Sequence, residues 1–548
     1  MLVTIRVRVG VARPLCNKAP DTTFGVWSRT SCTGASLSAQ FAMVVSPASA
    51  VPARHAGGDA PGGAAAERLL PQVAAGPGFW EDLLGELRRA GLIAELLSDG
   101  VITAAVAAAD HGHQLDRALT AEATALCVIT GALFPDQGYD MILARTFGMP
   151  GLPVKPGTVT PSGPALSKAR AVLGEQVMRK IFQADAARTD VELGIGATWH
   201  GMETTGIDGT TIEVFNNDEL AQAFGVPAGG TKPKIRIVAH VRTGSRRWID
   251  AAAGGYLDGE NTLADDLESS FTAGIINLAD RGFFSMDRWT RFSAAGAHLA
   301  WRVKNGAKSV PFKTIQTLKD GSELVLLRES DSMLGKRRRD NNDKTLARLP
   351  DTIARLISFT VCARTARRAK TTTIKVLATL LDPEAFPARE IAALYAERWQ
   401  IEIAYLHLKK TVKGTGRTLR GRSVTLARQE TWALLLVHNV TATLAARAAS
   451  QAGIDPDLIP FTAVLSLIRG HLTADACCPH CGRRPASTND PVTTLIAGIL
   501  AQPHHRQRPA RTSGRTPFQR QNWHTEPVEY TITIVPSNLP QTVKCPGS

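Results

Sequence analysis

Residues 388–410, AREIAALYAERWQIEIAYLHLKK, constrain the fold more than any other stretch of this 548-residue chain. At 3.6 residues per turn the spacing predicts a helix carrying two separate polar stripes. Glu397, Gln400 and His407 fall on one side and suit a solvent face. Tyr395, Arg398, Glu402 and Lys409 fall on nearly the opposite side, bordered by Leu394, Ile401 and Leu408 on one edge and by Trp399, Ile403 and Leu406 on the other. Charges set between apolar borders are costly to bury without partners. Two explanations are open. One is a buried ion pair of Arg398 with Glu402, with Lys409 reaching outward; the other is a site where Glu402 holds a metal and the cations meet phosphate.

A formal net charge of +14 favours a polyanionic partner, most simply nucleic acid. Charge alone does not separate a DNA enzyme from a ribosome-associated or membrane-surface protein. No uninterrupted apolar run approaches a membrane span, and eight dilute, irregularly spaced cysteines suit a reducing interior better than a disulfide scaffold.

Along the chain, residues 1–78 read as a disordered or mis-assigned extension. Its first 42 residues hold a single acid, Asp21, which fits a leader, a loose arm, or translation from upstream of a natural start at Met43. Residues 79–190 read as an all-helical domain, with helices from Trp80, over 121–133 and over 165–182. From Gly194 the period changes to strands around Ile207-Asp208-Gly209, over 234–242 and from Trp248. A helix (261–269), a short apolar strand ending at Asp280, a helix (285–292) and a strand (298–303) follow. Three strands, a helix, a strand, a helix and a strand is the order of a ribonuclease H-like α/β core, with 194–303 as its first part. Residues 304–386 read as a β-rich insertion with basic runs at 336–339 and 364–370, and 387–450 as the second part of the core. Residues 451–548 read as a divergent, partly disordered basic region. There, Cys478 and Cys481 form half a zinc knuckle with no second half following.

The spacing Tyr-x2-Arg-x3-Glu-x6-Lys, filled by Tyr395, Arg398, Glu402 and Lys409, resembles the signature of the IS4-type DDE transposases. The segment LFPDQGYDMI (133–142) resembles their N-terminal domain, and the insertion falls where that family carries one. The resemblance implies that Asp208 (in IDGT), Asp280 (in LADRGFF) and Glu402 are the catalytic acids, holding two Mg2+ ions roughly 3.5–4 Å apart, with Mn2+ able to substitute. It implies DNA contacts from Tyr395, Arg398 and Lys409, and from Lys413, Arg417, Arg420 and Arg422 in the basic loop behind them. It further implies cut-and-paste transposition: cleavage of double-stranded DNA at terminal inverted repeats and joining to a target. A homodimer on DNA would perform this in a prokaryotic, nucleoid-associated cytoplasmic setting without a membrane. Some members flip a base with a tryptophan, for which Trp301 is the nearby candidate. The alternatives are a catalytically inactive, sequence-specific DNA-binding relic and a general ribonuclease H-like nuclease.

Overall fold

The structure, a computed structural model, describes residues 4–7, 100–109, 119–147, 161–189, 191, 193–305, 312–364, 369–474, 491–504 and 529–537. Of residues 1–78 it describes one short strand, β1 (Thr4–Val7). The helix expected from Trp80 and the half knuckle at Cys478 and Cys481 lie outside the described residues.

A helical layer comes first: α1 (Val101–Ala108), α2 (Ala121–Leu133), α3 (Tyr139–Phe147), α4 (Gly163–Leu173) and α5 (Gln176–Ala186). Thr120 starts α2 by accepting from the Ala123 amide, and Ser162 caps α4 in the same way. The single helix expected over 165–182 is two helices. Gly174 closes α4 at φ +71°, a conformation open to glycine, and the chain restarts at Gln176.

The core then runs β2 (Thr198–Trp199), β3 (Met202–Glu213), α6 (Asp218–Phe224), β4 (Lys234–Arg242), β5 (Trp248–Gly255), α7 (Glu260–Asp265), β6 (Ile275–Ala279), α8 (Met286–Ala294) and β7 (His298–Val303). β3, β4 and β5 pair antiparallel, β6 joins β3 in parallel, and β7 joins β6 in parallel. The resulting order β5-β4-β3-β6-β7 is the ribonuclease H-like arrangement. All five residues of β6 are buried, which accounts for its unbroken apolar sequence.

The insertion supplies β8 (Phe312–Thr317), β9 (Glu323–Leu327), α9 (Asp331–Asp340), β10 (Thr352–Arg364) and β11 (Ala369–Ala378). It continues the core sheet instead of standing apart from it. β11 pairs with β7, β10 with β11, and both β9 and the late strand β12 (Glu529–Ile534) with β10. β1 pairs in turn with β12.

The segment at 388–410 is helical but not uniform. α10 (Ala388–Leu394) passes through a 3-10 turn (Tyr395–Arg398) into α11 (Trp399–Leu406), and a π turn (His407–Val412) ends it. Its expected solvent stripe is a correction. Gln400 bonds to Arg246 and Asp457, and the His407 ring stacks on Phe461 with centroids 4.2 Å apart. Arg246 lies 154 positions before Gln400 and Asp457 lies 57 after it, separations that periodicity cannot register. Behind α11 runs α12 (Val424–Ala452), buried along most of its length, followed by α13 (Phe461–Ala474) and α14 (Pro491–Leu500). α12 shares one apolar core with the helical layer on one side and with β4, β5 and α11 on the other. No described helix is long and apolar enough to cross a membrane.

Candidate active site

Strand alternation puts Gly206, Asp208 and Thr210 on the face of β3 that meets α11. The helix comes very close there: a Cβ on Gly206 would lie 2.3 Å from Ile401 Cδ1. That approach brings three polar pairs into register. Arg398 Nη1 donates to Asp208 Oδ2 at 3.2 Å, the Tyr405 hydroxyl to the Asp208 carbonyl at 2.6 Å, and Lys409 Nζ to Thr210 Oγ1 at 3.0 Å. Arg398 also donates Nη2 to Glu402 Oε1 at 2.9 Å, so one guanidinium ties two carboxylates. Asp280 stands just past the end of β6 and accepts from Arg302 of β7 at 3.3 Å.

Asp208, Asp280 and Glu402 therefore line one cavity of about 560 Å³, together with Arg302, Arg398, Lys409 and Lys410. Phe359, Val361 and Ile374 from the insertion and Ile532 from β12 supply its apolar wall. Burial lifts the Asp208 carboxyl from 3.8 to about 6; Glu402 and Asp280 add to the rise, while Arg398 and the Gly209 amide oppose it. Burial alone would lower Arg398, but Tyr395 and the three carboxylates hold it above its ordinary value.

Tyr395 is buried, with its hydroxyl on the Ala279 carbonyl at 3.3 Å. It fastens the helix to the end of β6 beside Asp280 and offers no open ring face. Trp301 is fully buried, donates Nε1 to Asn277 Oδ1 at 3.0 Å, and packs edge-on against Trp289 and Phe292. That placement corrects the expectation of a base-flipping tryptophan there, because a wedge must reach solvent. The basic loop is divided: Lys413 is buried and Arg420 half-buried, while Arg417 and Arg422 are exposed. Arg417 donates to the Pro135 carbonyl at 2.8 Å, Arg420 to the Gln137 carbonyl at 2.8 Å, and Lys413 to the carbonyls of Gly414 and Arg417. Arg422 lies over the Phe215 ring at 4.8 Å. Two residues of the site carried no signal in the sequence. Arg302 reads as one polar position in a strand, and Tyr405 falls in neither polar stripe of the helix.

The donor set suits a hard divalent cation: three carboxylates from three elements around one polar cavity. Among the described residues, no group of three His, Cys, Asp or Glu stands as a ready metal cage. In this arrangement the Arg398 guanidinium takes up oxygens of Asp208 and Glu402.

The sequence model described as "Transposase DDE domain" matches residues 199–440, and "Insertion element 4 transposase N-terminal" matches residues 88–183. "Transposase InsG for insertion sequence element IS4" of Escherichia coli (strain K12) is 29% identical over 334 residues, 59% of this chain and 69% of that protein. InsZ of the same strain is 26% identical over 142 residues, 25% of this chain and 48% of that one. Among solved structures, the cryo-EM structure of the piggyBac transposase synaptic complex with hairpin DNA aligns at TM-score 0.36 and 11% identity, over 75% of this chain and 81% of that one.

Proposed function

We propose, for a chain that belongs to the IS4 family of DDE transposases, that Asp208, Asp280 and Glu402 are the acids with which it cuts and joins DNA. The chain is a DNA transposase, and the DDE chemistry of its family is DNA cleavage and strand transfer. Domains of this class depend on divalent metal. The observation that carries the assignment is the convergence of these acids from β3, the end of β6 and α11 on one cavity.

In this reading the three acids hold two Mg2+ ions, replaceable by Mn2+, which when bound neutralise the attacking and leaving oxygens of a phosphodiester. Arg398 has two duties. Before metal arrives it neutralises Asp208 and Glu402, whose mutual repulsion the cavity would otherwise have to bear. With those carboxylates holding a cation, the guanidinium would be a forked donor suited to phosphate. Lys409 and Lys410 line the same cavity and serve the DNA backbone as point charges. Tyr395 acts through position, by holding the helix against β6. The substrates are the element's own inverted-repeat ends and a double-stranded target, worked on by a homodimer at the nucleoid in the cytoplasm.

The test is divalent-dependent cutting of DNA that carries the element's ends. Asp208→Ala, Asp280→Ala and Glu402→Ala each lower the rate by at least about a thousandfold with melting behaviour retained, since removing a member of a unit abolishes most of its chemistry. A variant that cuts like the wild type removes its residue from the assignment.

A further inference from the structure

The back of α11 meets a second polar cluster, separate from the cavity. Arg246, in the turn between β4 and β5, donates Nε to Gln400 Oε1 at 2.8 Å and Nη2 to Asp457 Oδ1, while Gln400 Nε2 donates to Asp457 Oδ2. Each of the three thus touches the other two. Asp457 lies in the 3-10 turn Pro456–Leu458 that joins α12 to α13. Its amide is held by Asp455 Oδ1 at 2.8 Å. Arg246 is 9% exposed and sits at φ +59°, a conformation a non-glycine residue keeps where its surroundings over-determine it.

Gln400 and Glu402 are two residues apart, about 200° round a helix, so a grip on Gln400 from behind decides where Glu402 points in front. Regular backbone does not decide it. α11 has only eight residues, entered from a 3-10 turn and left through a π turn, and both junctions change the angular step of the chain. From the front, Arg398 bridges Glu402 to Asp208, and Tyr405 and Lys409 bond β3 as well, so the helix is tied to the sheet on the cavity side. The triad supplies the opposing hold from behind: it ties the helix to the β4–β5 turn and to the α12–α13 connection at once.

We infer that Gln400, Arg246 and Asp457 are positioning residues for the transposase reaction, a clamp that keeps Glu402 turned toward Asp208 and Asp280. The inference rests on the assignment of those three acids. Gln400→Leu tests it, because the substitution keeps the volume and leaves Arg246 and Asp457 paired with each other. With the protein in excess over end DNA, its single-turnover cutting rate falls at least about tenfold, a modest share of what a 1 Å misplacement can cost. The half-saturating DNA concentration stays within about twofold, and Mn2+ binds the DNA-free protein at least about fivefold more weakly. Asp457→Asn, which weakens the hold on Arg246, moves the same quantities less far. Wild-type cutting and Mn2+ affinity in Gln400→Leu, beside an inactive Asp208→Ala control, overturn the clamp alone. Matching losses in melting temperature and DNA binding also overturn it, by marking an ordinary structural contact. Wild-type cutting by Asp208→Ala sinks the assignment of the acids and the clamp with it.

Discussion

Asp208, one of the three acids proposed for catalysis, shows how a side chain can oppose folding. Its carboxyl is pushed up to about 6, by burial first and by neighbouring Glu402 and Asp280 next, against the pull of Arg398. An acid raised on folding contributes stability that is fully present below its ordinary value of 3.8 and is lost as pH rises through about 6. Above that window the metal-free protein carries a charge it would be more stable without. Asp208→Asn keeps the shape and removes the charge. At pH 7.5 without metal its melting temperature is expected to exceed the wild type's, and at pH 4 to lie close to it. Cutting is lost in the same variant. The gain stays below about 3 kcal/mol, the upper limit of a shift of this size before the open cavity screens it. A melting temperature at pH 7.5 below the wild type's would show that the Arg398 bond outweighs burial.

At the scale of elements, the contact that makes the site is α11 on β3, and a glycine permits it. Gly206 has no unusual backbone angle; it is needed because a Cβ would stand 2.3 Å from Ile401 Cδ1 and 3.1 Å from the Leu278 carbonyl. Gly206→Ala should destabilise by about 1–3 kcal/mol through overpacking and slow cutting by at least about tenfold through displacement of Glu402. Adding Ile401→Ala removes the nearer obstacle and should return most of the rate, read by melting and cutting in the single and double variants. This contact marks a border between what local pattern reveals and what it hides. The strand at Lys234–Arg242, the buried run ending at Asp280 and the stripe of Arg398, Glu402 and Lys409 were legible, because each is a period or a spacing within one element. The break at Gly174, the π turn at His407–Val412 and the docking of β11 on β7 were not. Each is fixed by a backbone angle or by a partner far along the chain. Arg302 stayed hidden for the same reason: its meaning comes from Asp280, on another strand.

At the scale of the molecule, the question is what joins the helical layer to the catalytic core, and the basic loop after α11 is part of the answer. Arg420 reaches the Gln137 carbonyl of the α2–α3 connection, and its amide donates to Glu430 of α12 at 2.8 Å. Arg170 of α4 closes the clasp from the other side, donating to Gln429 Oε1 at 2.8 Å and to the Tyr139 hydroxyl at 2.5 Å. A guanidinium bonded to carbonyls in this way has few donors left for phosphate, whereas Lys410 stands exposed at the rim of the cavity. The two should therefore separate in experiment, although it is Arg420, and not Lys410, that reads from sequence as a DNA contact. Arg420→Ala should lower stability by about 1–3 kcal/mol, because it strands the Gln137 carbonyl and removes the 3.8 Å ion pair with Glu430 while the amide bond to Glu430 remains, and should leave the salt slope of DNA binding unchanged. Lys410→Ala should leave melting unchanged and flatten the slope of log K against log salt by about one unit, the signature of one lost phosphate contact. If Arg420→Ala flattens the slope and melts like the wild type, the loop contacts DNA and the clasp is not what holds the two layers together.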